Sequence, residues 1–344
     1  VVTSTFPASS DPLRQREAQA YGRFRRRLEA ADALLGLALA LIGAFAGAWL
    51  ADTFDTPGPL IVEVAVWLAV VGGAAELAGV PLSVVAYRRS RREGLSRQRP
   101  GPWLLDRAKG LVLGFVVGVP AVTALLALQR ALPHGWWFPA ALGAAGLELV
   151  MATIGPVLIL PLFLRSRPLD PGPLADDLVD LARRAGVRVA SMRVLEAGAK
   201  TSAGNAFVSG LGPTRRIMIF DTLIGEDGEP DAERIREMRA VLAHELGHAR
   251  ALDLWRGLAL GAVSALVAFA FANWLLGVLP SSLVHAGPGS LSALPALALA
   301  LGIAFVPLGI LAAAHSRRRE RAADAFSLRT ARDGEALARA LERM

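Results

Sequence analysis

The residues His244-Glu245-Leu246-Gly247-His248 form the pattern H-E-x-x-H. Met238, Val241, Leu242 and Ala243 before it, with Ala249 and Leu252 after it, keep apolar residues at helical spacing. On a helix, residues four apart share a face, so both imidazoles reach one metal ion and Glu245 sits beside it. Two nitrogen ligands, an open coordination position and a carboxylate that takes a water's proton are what a zinc peptidase requires. Five residues also match by accident on an amphipathic helix, so the motif needs support from elsewhere in the chain.

Catalytic zinc commonly adds a carboxylate to two histidines. A third histidine in the spacing H-E-x-x-H-x-x-G-x-x-H is excluded, because the positions concerned are Ala251 and Leu254. The segment Ser316-Arg317-Arg318-Arg319-Glu320-Arg321-Ala322-Ala323-Asp324 offers a carboxylate instead. Glu320 and Asp324 share a helix face, so Glu320 can bind the metal while Asp324 accepts the second N–H of a ligand histidine. Taken alone, the segment is more simply a solvated basic helix with Arg–Glu pairs along it.

Working outward, the 344 residues are 53% hydrophobic and have a mean hydropathy of +0.44, too apolar for an ordinary soluble enzyme. Six runs are long enough to span a bilayer: 33–51, 61–87 (tilted, or broken at Pro81), 110–128, 138–164, 257–279 and 291–314. The net charge is +7. Its arginines cluster before the first run, between the second and third, after the fourth and after the sixth, while the alternate loops hold only Arg130. That is the positive-inside pattern. It accounts for the basic balance without a nucleic-acid partner. It predicts a multi-pass protein of a cell (inner or plasma) membrane, with both termini, the H-E-x-x-H helix and Glu320 on the cytoplasmic side. With no cysteine there is neither a disulfide framework nor thiol catalysis.

The expected organisation has five parts. Residues 1–32 form a flexible, polar, Arg-rich cytoplasmic tail, followed by a signal-anchor span with no cleavage site. Residues 33–165 form a four-helix membrane region, and 166–252 a cytoplasmic α+β unit carrying the H-E-x-x-H helix. Residues 253–314 form a membrane helical hairpin, and 315–344 a C-terminal helix with the third ligand. Within the α+β unit, 174–184 reads as a helix closed by Gly186, 187–195 as a strand, and 205–209 with 216–220 as a hairpin through Gly210, Gly212 and Pro213. Asp231 stands where an N-cap would start the metal-binding helix. The fold class is therefore mostly α: a polytopic helical bundle of about six spans with a small, gluzincin-like α+β zinc-peptidase unit. The hairpin returns residue 320 to the face that it left at 248.

From about residue 94 onward the chain resembles the integral-membrane zinc metallopeptidases that include the CAAX prenyl protease. The resemblance rests on Gly94-Leu95-Ser96-Arg97-Gln98, Pro161-Leu162-Phe163 and Asn205-Ala206-Phe207-Val208-Ser209-Gly210. It continues in Arg216-Ile217-Met218-Ile219-Phe220-Asp221-Thr222-Leu223, the H-E-x-x-H motif, Ser316-Arg317, Glu320 and Ala323-Asp324. It implies one Zn2+ per chain held by His244, His248 and Glu320, Glu245 as general base, a hydrophilic chamber among the membrane helices, and hydrolysis of a peptide or membrane-protein substrate. Heat-shock membrane proteases of the HtpX type share the zinc core, and Phe220-Asp221-Thr222-Leu223 favours the CAAX branch. The family pattern also has a histidine and an arginine well after the third ligand and a further span, which this chain lacks up to Met344. A catalytically silent or truncated relative serving as a binding or quality-control scaffold is therefore the alternative. A transporter with an accidental motif is opposed by the α+β unit and by the absence of two matching halves.

The resemblance also gives Asn205 a role. It starts an edge strand on which a substrate peptide can pair, with the Asn amide holding the peptide backbone; otherwise it is a turn residue entering a strand. Glu63, Glu76 and Glu148 fall within the runs, where ionisable groups face a watery interior. His134 and His285 lie in opposite-side loops and His315 is an interfacial or core residue. Trp136 and Trp137 read as an aromatic belt, and Asp221 as a structural carboxylate.

Overall fold

The computed structural model describes residues 12–54, 58–210, 215–225, 230–279, 287 and 289–343. Most of the chain is helical. In chain order the elements are α1 (Pro12–Phe45), α2 (Leu60–Arg92), α3 (Pro100–Ala131), α4 (Trp137–Phe163), β1 (Ser166–Pro168), α5 (Pro173–Arg184), β2 (Ser191–Leu195), β3 (Ala206–Ser209) and β4 (Arg216–Phe220). There follow α6 (Ala232–Arg250), α7 (Asp253–Val278), α8 (Leu291–Ala331) and α9 (Gly334–Arg343), with short helices at Gly47–Phe54 and Asp221–Ile224. Among the described residues six helices, α1, α2, α3, α4, α7 and α8, are long and apolar enough to cross a membrane.

Their packing runs in a circuit: α1 on α2, α2 on α3, α3 on α4, α4 on α7, α7 on α8, and α8 back on α1. Few residues of any span are buried. Those that are include an apolar cluster in which Val64 of α2, Leu126 of α3, Ala140 of α4, Ala272 of α7 and Leu297 of α8 meet.

Three expectations are corrected. The polar stretch 1–32 is not a flexible tail where it is described, because α1 is helical from Pro12 onward. Pairs such as Arg25–Glu29, 3.2 Å apart, sit along it. Of the two alternatives for the second span, tilted or broken at Pro81, the break does not form: Pro81 lies inside a continuous helix, and the irregularity is a π-helical turn at Leu68–Gly72. Trp136 is no belt residue: it is 1% exposed and packs edge-on against Phe269 of α7 at 6.0 Å.

The sheet has the order β1-β2-β4-β3, with β2 and β4 parallel and the other pairs antiparallel. The expected hairpin of β3 and β4 forms, although its turn at 211–214 lies outside the described residues, as does His285. The strand expected at 187–195 is only Ser191–Leu195. One sheet face carries Val194, Ala206, Ile217 and Ile219 into a core with Leu178 and Leu181 of α5 and Met238, Leu242 and Leu246 of α6. Asp221 ties the end of β4 to the loop after β2, accepting from the backbone N–H groups of Ala197 (3.0 Å), Gly198 (2.9 Å) and Thr222 (2.8 Å).

Candidate metal centre

Helix α6 starts as its sequence dictates. The Asp231 carboxylate accepts from the Arg234 backbone N–H at 2.7 Å, capping an orphan donor of the first turn. The buried stripe of α6 then fixes its rotation and leaves His244, Glu245 and His248 on the side away from the α5 core.

Helix α8 brings the third group. It continues unbroken from the membrane region through the basic segment, so Glu320 and Asp324 ride on the sixth span itself. Two contacts hold it against α6. Ser327 Oγ donates to the Ala240 carbonyl at 2.7 Å in a buried position. At Gly247 a Cβ would meet Ala323 Cα and Phe326 Cβ at 3.2 Å, so the glycine sets how closely the helices approach.

His244 Nε2 and His248 Nε2 lie 3.1 Å apart. Glu320 Oε2 is 3.3 Å from the first and 3.7 Å from the second. The outer nitrogens face carboxylates: Asp324 Oδ1 is 2.9 Å from His244 Nδ1, and His248 Nδ1 donates to Asp253 Oδ2 at 2.9 Å. The His244–Asp324 contact lies off the line of the ring N–H, so there the carboxylate acts through its charge. Both carboxylates favour protons on Nδ1, which leaves the Nε2 lone pairs directed at each other and at Glu320. Three electron-pair donors so placed repel unless a cation sits among them. Their spacing suits one, because tetrahedral ligands about 2.0–2.1 Å from zinc lie roughly 3.3 Å apart. Among the described residues this is the group of histidines and carboxylates that could hold a metal ion, and His134 and His315 are not part of it.

Glu245 is half-buried beside this group in a small cleft lined also by Val208, Arg215 and Trp255. Burial pushes its carboxyl above the ordinary carboxylate range. Its electrostatic interaction with the His244 and His248 rings and a backbone hydrogen bond from Val208 oppose that shift, and Glu320 adds to it. Asn205 lies just before β3 and its carbonyl accepts from the Phe220 N–H at 2.8 Å. That bond makes Asn205–Phe220 a hydrogen-bonded pair, so Ala206 and Val208 turn their backbone groups away from β4 toward the open edge. Glu76 of α2 is paired: its carboxylate meets Arg107 of α3 at 3.0 Å. Glu148 of α4 rests against Gly261 of α7.

Sequence reasoning missed Asp253, which orients His248 and is itself held by Arg319 Nε at 2.6 Å. The Arg–Glu pairing imagined along α8 is thus not what Arg319 does. Helical periodicity hides Asp253, because a residue five positions after His248 would face elsewhere on a continuing helix. Leu252 adopts the left-handed conformation (φ 57°) between α6 and α7 and turns Asp253 back toward the ring. Holding a leucine there costs roughly 1–2 kcal/mol, a strain found where geometry matters more than local comfort. Asp253→Asn is expected to weaken metal retention about 10–100-fold by removing the charge behind His248. Competition with a calibrated chelator reads this directly, and unchanged affinity would show that Asp253 only joins the two helices.

The model of Peptidase family M48 matches residues 170–344, and that described as CAAX prenyl protease N-terminal, five membrane helices, matches residues 4–165. Among the described residues of that range there are four long apolar helices and the short Gly47–Phe54. CAAX prenyl protease 1 of Saccharomyces cerevisiae is 28% identical over 184 residues, covering 53% of this chain and 39% of that protein. The CAAX prenyl protease 1 homolog of Arabidopsis thaliana is 32% identical over 188 residues, covering 53% and 42%. The uncharacterized metalloprotease YhfN of Bacillus subtilis is 26% identical over 264 residues, covering 76% and 61%. The chain thus spans less than two thirds of the length of these relatives. The crystal structure of S. mikatae Ste24p shares the fold, with a TM-score of 0.80 at 21% identity over 98% of this chain and 83% of that one. The H-E-x-x-H helix, the carboxylate carried back on the sixth span and the matches over both halves place this chain in peptidase family M48, with a membrane region of the CAAX prenyl protease type.

Proposed function

We propose that the protein is a membrane-embedded zinc-dependent endopeptidase that hydrolyses peptides or membrane-associated proteins at the cytoplasmic face. The observation that carries this reading is the convergence of His244 Nε2, His248 Nε2 and Glu320 Oε2, with Glu245 beside them. His244, His248 and Glu320 would hold one Zn2+, with Asp324 and Asp253 fixing the rings. Bound there, zinc would supply Lewis acidity, polarising the scissile carbonyl and making the attacking water more acidic.

The protein's own groups supply the rest. Glu245 takes the water's proton and passes it to the departing amine, a general base and then acid at one carboxylate. Half-burial matches it to that task, because a base lifted toward neutral pH both accepts and returns a proton readily. The open edge of β3 offers backbone groups to an extended peptide, and Asn205 at its start would anchor that peptide. Main-chain pairing gives little side-chain preference, so access past the wall of spans would select substrates.

On one preparation, chelation is expected to abolish cleavage of a casein-like substrate, and about one equivalent of zinc to restore it. In the same assay Asn205→Ala should raise KM or lower turnover while zinc content and Tm hold. Cleavage that survives full metal removal would defeat the peptidase reading. A lowered Tm with unchanged kinetics per folded molecule would reduce Asn205 to a structural turn.

The arginine bias supports a cytoplasmic site. Cysteines introduced at Ser191 and His134 test it in intact cells. The first should resist an impermeant thiol reagent and the second should label; the reverse pattern would put the site on the other side.

A further inference from the structure

We propose that the cavity where α4 leaves the membrane is a binding site for an anionic phospholipid, its phosphate held by arginines and an acyl chain laid along the end of the span. The cavity, about 580 Å³, lies between the last turns of α4 and the start of the sheet. One wall is apolar, made by Val157, Leu160 and Leu164. The other carries Arg165, Arg193 and Arg216 against a single carboxylate, Glu196, leaving a net charge of +2 (three cations, one anion). Arg193 is steadied by Ser166, whose Oγ and carbonyl accept from it at 3.0 Å each. Among the described residues the side chains of Arg165 and Arg216 have no ionic or hydrogen-bonding partner. Three guanidinium groups repel one another, and two without a partner beside an apolar wall are complementary to an anion that carries a tail.

Depth argues for a membrane lipid as the source. The span runs 27 residues from Trp137 to Phe163, roughly 40 Å at about 1.5 Å per residue, which matches a bilayer including its headgroup layers. With Trp137 near one interface, Arg165 falls in the headgroup layer of the other. Val157 and Leu160 then lie one to two turns below it, at the depth of the first acyl carbons. A phosphate at Arg165 and Arg216 with hydrocarbon against Val157, Leu160 and Leu164 fits that ordering without displacing any described contact. The occupant would brace the junction between the fourth span and the sheet whose edge strand borders Glu245.

Native mass spectrometry of the detergent-purified, zinc-loaded full chain tests this with phosphatidylglycerol and phosphatidylcholine as probes. Wild type is expected to retain phosphatidylglycerol preferentially. Arg165→Gln/Arg216→Gln should weaken that retention at least about tenfold, since each lost charge-assisted contact is worth more than a neutral one. Arg88→Gln/Arg92→Gln, which removes the same charge from exposed residues elsewhere, should not. Arg165 is exposed, so Arg165→Gln alone folds and should lose about threefold or more even if the double variant is not recovered. Equal retention of both lipids would overturn the proposal, as would a control that loses as much as the cavity variant or an unaltered Arg165→Gln. Displacement of the lipid by low-millimolar inorganic phosphate would show a free-anion site, and displacement by a peptide substrate would assign the cavity to substrate; either outcome also overturns it. Lipid retention is read without hydrolysis, so the result stands apart from the peptidase reading.

Discussion

Glu245→Gln is expected to leave the protein folded and able to hold zinc while hydrolysis falls by about 10²–10⁴-fold, the usual share of a positioned general base. Glutamine keeps the shape and can still accept the hydrogen bond from Val208, but it cannot take a proton from water. The same substitution has a second readout, in stability. Burial raises the Glu245 carboxyl above its ordinary range. A carboxyl whose folded pKa lies above its unfolded value binds protons more tightly in the folded state. Its contribution is therefore favourable below the unfolded value and is lost as pH rises through the folded one. In metal-free protein at neutral pH the ionised Glu245 costs stability, so Glu245→Gln should melt at or above the wild-type temperature, with the difference shrinking toward pH 4. A bound cation would stabilise the carboxylate and narrow the gap. Cleavage at the wild-type rate by a fully zinc-loaded Glu245→Gln protein would remove Glu245 as the base; a lower Tm in the metal-free variant would contradict the sign of the burial effect.

What could be read before the structure divides along physical lines. Apolar run length is a direct consequence of bilayer thickness, so six spans were legible from composition. Helix length is not set by apolarity. Backbone hydrogen bonding carries α1 down to Pro12 and α8 on through Arg317–Arg319 to Ala331, because arginine, glutamate and alanine all favour a helix. The boundary expected at 315 is therefore not a break in the chain, and that continuity is what places Glu320. The pairing of His244 and His248, the proposed ligands, follows from i, i+4 spacing, and Asp324 from the same rule applied to Glu320. Asp253 escapes it because a single left-handed residue, Leu252, resets the direction of the chain. Trp136 shows the limit of composition in another way: an indole next to a span end fits a belt or a core equally well, and only packing against Phe269 decides.

Gly247 is where packing and chemistry meet. Its substitution separates the close approach of the helices from the ligand chemistry. Gly247→Ala would gain up to about 1 kcal/mol of helix propensity in α6. It would also press a methyl on Ala323 Cα and Phe326 Cβ at 3.2 Å, so those neighbours must give by a few tenths of an ångström. The two effects oppose, and little change in Tm is expected. Gly247→Leu adds three more carbons where backbone already stands, and overpacking of about 1–3 kcal/mol or more then outweighs the propensity gain. Helix α8 must move away, and Glu320 moves with it. Gly247→Leu is therefore expected to lower Tm and to lose most of its bound zinc, although none of the proposed ligands has been touched. Glu320→Ala is the control: it removes a proposed ligand whose side chain is 54% exposed, so zinc should be lost with much less change in Tm. Elemental analysis and melting curves on the three variants distinguish the cases. Full zinc retention in Gly247→Leu would mean that the contact between α6 and α8 at Gly247 does not hold Glu320 in place.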